Sequence, residues 1–335
     1  MLITEVARQH GVAGLLHDAI VDQGRDWSRA ACAILRQTLQ DVFTLGVRQL
    51  DTASRVQDIL SAAGVRCVPL KGAALAESYY DSIAHRPMED VDLLVLDDWH
   101  RAVRLVKAAG LREEYKADHA IAFLDPALGV AVELHRGVTS CSALFPLDLE
   151  ATWRRCRIAA GQVRTVPSGE DLLVHLSLHA TFQHGLGLRL VQWLDFRRLL
   201  ERNRPDPAVI GQIAADPLTR RAVALALEAA RAVVAAPVEP ELRKLIAAWV
   251  PVRLGRFILR TQDDAAIVLA PGQPPLAWIR WQLAAGRRWM LVRETLRPRV
   301  ASAPEFRTGA TARTLRLARR WALPTLRSLR ATPWN

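Results

Sequence analysis

Across residues 3–62 apolar positions recur at three- and four-residue spacing. Ile34, Leu35, Leu39, Val42 and Phe43 mark one such stripe, and no proline interrupts it. The pattern predicts helix throughout this stretch. After Gly64 the texture changes. Val65 to Leu70 is a short run rich in β-branched residues, consistent with a buried strand. Lys71-Gly72 follows, then a short helical stretch from Ala73 to Tyr80 and a turn-rich connection from Asp81 to Pro87. Val91–Leu96 reads as a second strand with an acidic start. Asp97 or Asp98 can cap a helix from Trp99 to Ala109, closed by Gly110. Further strands are expected around His119–Leu124 and Val130–His135, on either side of the turn Asp125-Pro-Ala-Leu-Gly129.

From Pro167 the helical period returns. Ser168 and Asp171 form a capping signal ahead of Leu172, Leu173, Leu176 and Leu178. A second helix is expected over Leu186–Asn203, and residues 208–335 read as helices broken by prolines. The layout predicts an α+β protein: a small mixed sheet flanked by helices, with a largely helical C-terminal region. Its expected divisions are an N-terminal helical segment (1–62), an α/β core (63–160) and a helical, basic C-terminal region (161–335).

Composition adds a compartment and an asymmetry. The chain has 335 residues, 50% hydrophobic and 24% charged, which places it among globular proteins. Cys32, Cys67, Cys141 and Cys156 show no CxxC pair, so neither a disulfide framework nor a cysteine zinc site is expected. No signal-peptide pattern and no apolar run of spanning length occurs, and a cytoplasmic location is expected. The net charge of +11 is concentrated late: residues 241–335 hold 18 Lys and Arg against 5 Asp and Glu. Such a segment attracts polyanions, although arginine on solvated helix faces gives the same count. Trp278, Trp281 and Trp289 lie among Arg280, Arg287, Arg288 and Arg293, where packed tryptophans with arginines toward solvent are the default expectation.

The candidate chemistry begins at Leu70-Lys71-Gly72 and continues at Arg86-Pro-Met-Glu-Asp90-Val-Asp92. Alternation along a strand puts Asp90 and Asp92 on one side, and paired carboxylates invite a cation between them. Oxygen-rich sites that lean on substrate phosphates are what Mg²⁺ favours. A strand, a glycine turn, a helix and an Arg-x3-Asp-x-Asp strand together resemble the nucleotidyltransferase superfamily that includes DNA polymerase β. More specifically, the chain resembles a bacterial family of uncharacterised nucleotidyltransferases. The residues that carry the resemblance are Leu70-Lys71-Gly72, Arg86 with Asp90 and Asp92, and Glu133-Leu134-His135. Ser168 to His175, then His179 and Trp193-Leu-Asp195, extend it to about residues 60–205.

That resemblance implies a two-metal mechanism with Mg²⁺ or Mn²⁺ and an NTP as co-substrate. Asp90, Asp92 and Glu133 would be the metal-binding and catalytic carboxylates. Lys71, Gly72 and Arg86 would serve the triphosphate, with Lys71 supplying charge where typical members offer a serine hydroxyl. His175 and His179 share a helical face, and with His184 nearby they suit packing or a hydrogen bond to Asp195 or substrate better than a zinc site. His135 shares the face of Glu133 and is expected to line the pocket. The acceptor would be a small molecule, a peptide or RNA. The alternative is a non-catalytic nucleotide- or nucleic-acid-binding protein that retains the fold.

Overall fold

Side-chain caps set where most of the helices begin. Ser28, Asp98, Asp148, Ser168, Asp206 and Asp216 each accept a hydrogen bond from a backbone N–H two or three residues on. The computed structural model describes residues 2–24, 27–140, 142–158 and 164–250, with a few positions between 279 and 291. Helices α1 (Leu2–Gln9), α2 (Ala13–Asp22) and α3 (Arg29–Ala62) come first. Strand β1 (Cys67–Pro69) leads directly into α4 (Lys71–Ser78). After a single 3₁₀ turn come β2 (Val91–Val95), α5 (Trp99–Ala108), β3 (Arg112–Lys116), β4 (Ala120–Asp125) and β5 (Val130–His135). The chain continues through α6 (Leu149–Arg155) and a small pair, β6 (Arg157–Ile158) with β7 (Thr165–Val166). After α7 (Gly169–Leu178), the described residues up to 250 form α8 (Leu190–Asn203), α9 (Pro207–Ile213), α10 (Pro217–Val234) and α11 (Pro240–Ala247).

The five-stranded sheet runs β1-β2-β5-β4-β3, and only β2 and β5 are parallel neighbours. Strand β2 is buried at every position, which its sequence Val-Asp-Leu-Leu-Val permits only because the aspartate finds partners. Val91, Leu93 and Val95 pack with Ala53, Val56 and Leu60 of α3 and Ala102 and Val106 of α5. Leu94 and Leu96 lie with Val68 and Leu70 against Leu149 and Trp153 of α6. Asp92 therefore shares its side of the strand with Leu94, away from α3. A second core, built around Trp193, Phe196, Leu172 and Leu225, joins α7, α8 and α10. Each fully buried leucine of these cores contributes roughly 1.5–3 kcal/mol. The fold is α+β, as the alternation of patterns predicts.

Several boundaries differ from expectation. The stretch 3–62 is three helices, not one. Gly11 takes φ +71° between α1 and α2, where an added Cβ would stand 2.8 Å from Val191 Cγ1. His10 O accepts from Val191 N at 3.1 Å, so the break ties the N-terminus to the start of α8. Strand β3, Arg-Glu-Glu-Tyr-Lys, escapes hydrophobic patterning because it is an edge strand whose charges face water. Helix α8 starts at Leu190, not Leu186, because Leu186 sits at φ +67°. Most of residues 241–335, including Trp278, Trp281 and Arg293, lies outside the described residues. Arg287 is exposed, as expected, but two of its neighbours in sequence depart from the expected polarity. Trp289 is 75% exposed, while Arg280 is buried and donates to Phe182 O at 2.6 Å and Ser140 Oγ at 3.1 Å.

Candidate active site

The site begins where β1 becomes α4. Leu70 N donates to Asp92 O at 2.9 Å, which fixes the end of β1 beside the second residue of β2. Lys71 then adopts φ +44°, a left-handed conformation uncommon for a residue with a side chain. The strain is held by its surroundings. The half-buried ammonium lies 2.6 Å from Asp92 Oδ1. At Gly72 a Cβ would come within 2.5 Å of Met88 Cγ. Gly72 is thus needed for close packing against the loop that carries Arg86 and Met88.

Parallel pairing supplies the next pieces. In the β2–β5 register Asp92 stands opposite Glu133, and Leu94 opposite His135. Asp92, Glu133 and His135 each offer a ligand atom, all within 4.8 Å of one another. His135 Nε2 lies 2.7 Å from Asp92 Oδ1 and 3.2 Å from Glu133 Oε2. From its spacing, His135 is expected only to line the pocket. The structure puts it in hydrogen-bonding contact with both carboxylates, a contact that its i+2 spacing from Glu133 foreshadows. Asp90 stands outside this trio, in a bend one residue ahead of β2 and not on the strand itself.

Electrostatics separates the two aspartates. Burial and the neighbouring Asp92 charge push the Asp90 carboxyl up to about 7. Asp92 is more deeply buried, yet Lys71 and His135 hold it far below the usual carboxylate range. Burial opposes the charge on Lys71, but Asp92, then Asp90 and Glu133, leave it above its ordinary value. His135 is likewise raised: burial works against the charged ring, and the hydrogen bonds to Asp92 and Glu133 outweigh it. The hydrogen bond from His135 lowers Glu133 against a smaller effect of burial.

Arg86 is committed elsewhere. Its guanidinium meets Asp195 through Nε and Nη2, both at 2.7 Å, and donates to Pro87 O at 2.7 Å. Tyr80 donates to the same carboxylate at 2.8 Å. Nothing in the sequence signals Tyr80, since its partner lies more than a hundred residues away. A cavity beside Lys71 is lined by Arg86, His179, Gln192, Asp195 and Phe196. The structure therefore gathers Lys71, Asp92 and Glu133 tightly, sets Asp90 at their edge, and uses Arg86 to join the sheet region to α8.

His175 of α7 and His179, the residue after that helix, both feel the charge of Lys71. His175 is buried, and neither ring nitrogen is hydrogen-bonded within the protein. Burial, aided by Lys71, lowers it to about 3. His179 is also driven well down, first by burial and then by Lys71. Asp195 is already engaged by Arg86 and Tyr80, and neither His175 nor His179 is hydrogen-bonded to it.

A strand–turn–helix entry with an acidic pair on neighbouring parallel strands is the arrangement of a nucleotidyltransferase-type fold. The chain matches the family described as "Uncharacterised nucleotidyltransferase" over residues 2–235, and it belongs to that family. Among solved structures, it is similar to an antigenic nucleotidyltransferase-like protein from Paracoccidioides brasiliensis. That match has 19% identity and a TM-score of 0.33, over 62% of this chain and 93% of that one. No curated protein matches it. Among the described residues no helix is long and apolar enough to cross a membrane.

Proposed function

We propose that this chain transfers a nucleotidyl group, or a terminal phosphoryl group, from an NTP to an acceptor on a small molecule, a peptide or RNA. The observation that carries the reading is the Asp92–Glu133 register across β2 and β5, with the Lys71 ammonium seated on Asp92. The donor set fits a divalent cation. Two carboxylates and an imidazole converge within 4.8 Å, and Asp92 already engages a positive charge in Lys71. Asp92 and Glu133 would hold Mg²⁺ or Mn²⁺, with Asp90 contributing from the start of the strand. When bound, the ion neutralises phosphate charge and polarises the attacked phosphorus.

The protein's own groups do the rest. Lys71, released from Asp92, meets the phosphates as a point charge at the N-terminus of α4, where backbone N–H groups also favour anions. Arg86 stays on Asp195 and keeps the Arg86–Met88 loop against Gly72, so it positions the site without touching phosphate. In nucleotidyl transfer an acceptor oxygen forms a bond to the α-phosphorus and pyrophosphate leaves; the acceptor proton passes to Glu133 in the alternative where that carboxylate serves as base instead of metal ligand. Family membership supports an NTP as the co-substrate.

The test is incubation of the full chain with α- or γ-labelled ATP, GTP, CTP or UTP, divalent metal and cell extract. The Asp90→Asn/Asp92→Asn variant runs in parallel. Label entering an acceptor only with the intact aspartates supports the reading, and the labelled position tells nucleotidyl from phosphoryl transfer. No labelling together with no metal-dependent NTP binding defeats it in favour of a non-catalytic binding protein.

A further inference from the structure

Beyond the carboxylate site, α7 does not end as an ordinary helix. It runs into a π turn at His179–Gln183, marked by the bond from His184 N to His179 O at 3.1 Å. In an α-helix a residue five positions on points roughly 140° away. The wider π turn reduces that offset and brings the rings of His179 and His184 together. Their Nε2 atoms are 3.2 Å apart and their ring centroids 4.4 Å apart. His175, one turn earlier on the same face, has its ring centroid 6.1 Å from that of His179. The three rings lead from the interior at His175, through half-buried His179, to the surface at His184.

We infer that His179 and His184 form a binding site for a transition-metal ion of the zinc class, separate from the carboxylate site. Zinc–nitrogen bonds of about 2.0–2.1 Å in tetrahedral geometry hold two nitrogens about 3.3 Å apart, close to the separation found here. Imidazole suits Zn²⁺, Cu²⁺ and Ni²⁺ better than Mg²⁺. A second observation points the same way. π turns are rare and concentrate at functional sites, and a single hydrogen bond between two outer histidines is small return for one. With two protein ligands the site is open, leaving coordination positions for water or a substrate oxygen beside the cavity that His179 lines. This inference stands whether or not the chain transfers nucleotides.

The test is titration of Zn²⁺ alone into the metal-free full chain and into an Asp92→Asn/Glu133→Gln variant that silences the carboxylate site. The expected result is one zinc per chain retained in that variant at micromolar affinity. Adding His184→Gln, a surface change that leaves the circular dichroism unaltered, weakens it at least tenfold. Cu²⁺ bound to the same variant should give an electron-spin signal split by two imidazole nitrogens. The proposal is overturned if the carboxylate variant binds no zinc. It is equally overturned if His179→Gln and His184→Gln leave the zinc affinity unchanged.

Discussion

Arg86 and Asp195 meet as a buried fork, Nε on Oδ1 and Nη2 on Oδ2, each at 2.7 Å. The pair links the loop before β2 to α8, and so ties the sheet region to the helical core. Removing one partner strands the other charge in the interior. Arg86→Met should cost roughly 3–5 kcal/mol in urea unfolding. The double variant Arg86→Met/Asp195→Leu should recover much of that loss. A double variant as unstable as the sum of the singles would show that the pairing is not the source.

Gly72 offers a second coupling. A methyl group at this position would sit 2.5 Å from Met88 Cγ and 3.0 Å from its Sδ. Gly72→Ala should destabilise by about 1–3 kcal/mol through overpacking. Met88→Ala removes the obstructing atoms, so the double variant should be more stable than additivity predicts. Additive losses in the same unfolding assay would refute the contact as the cause.

How much of this was legible in the sequence follows from which interactions are local. β1, β2 and β5 are short apolar runs rich in β-branched residues, the caps at Asp98 and Ser168 depend on donors three residues away, and all appear where the pattern puts them. Resemblance grouped Asp92 and Glu133 with Asp90; that His135 converges with them instead follows only from the parallel pairing of β2 and β5. Long-range pairing was not legible. Arg86 on Asp195 spans 109 residues, and no local rule distinguishes it from a phosphate contact. The π turn after α7 was equally hidden, because its one-residue register change leaves the hydrophobic period almost intact.

His175 makes a pH prediction with a definite sign. Its ordinary value is 6.5 and burial lowers it to about 3, so between these limits the unfolded chain binds a proton that the folded chain does not. The contribution is fully present above pH 6.5 and is lost as the pH falls toward 3. His175→Phe should therefore flatten the fall of Tm between pH 6.5 and 4, measured without metal. An acid slope as steep as that of the unsubstituted protein would mean that His175 is not the buried neutral group it is taken to be.

The contact between Lys71 and Asp92 makes the sharpest prediction about the proposed activity. The ammonium sits 2.6 Å from the carboxylate that would hold the divalent ion, so metal and lysine compete for the same negative charge. Lys71→Met should strengthen binding of Mn²⁺ alone by roughly tenfold, equivalent to about 1.4 kcal/mol. The same variant should bind NTP more weakly, because the point charge for the phosphates is gone. Calorimetry with Mn²⁺ and then with NTP reads both effects on one sample. If Mn²⁺ affinity falls along with NTP affinity, Lys71 supports the carboxylates and does not compete with the ion. A rise in the first with a fall in the second identifies Lys71 as the cation that the metal displaces and the phosphates then recruit.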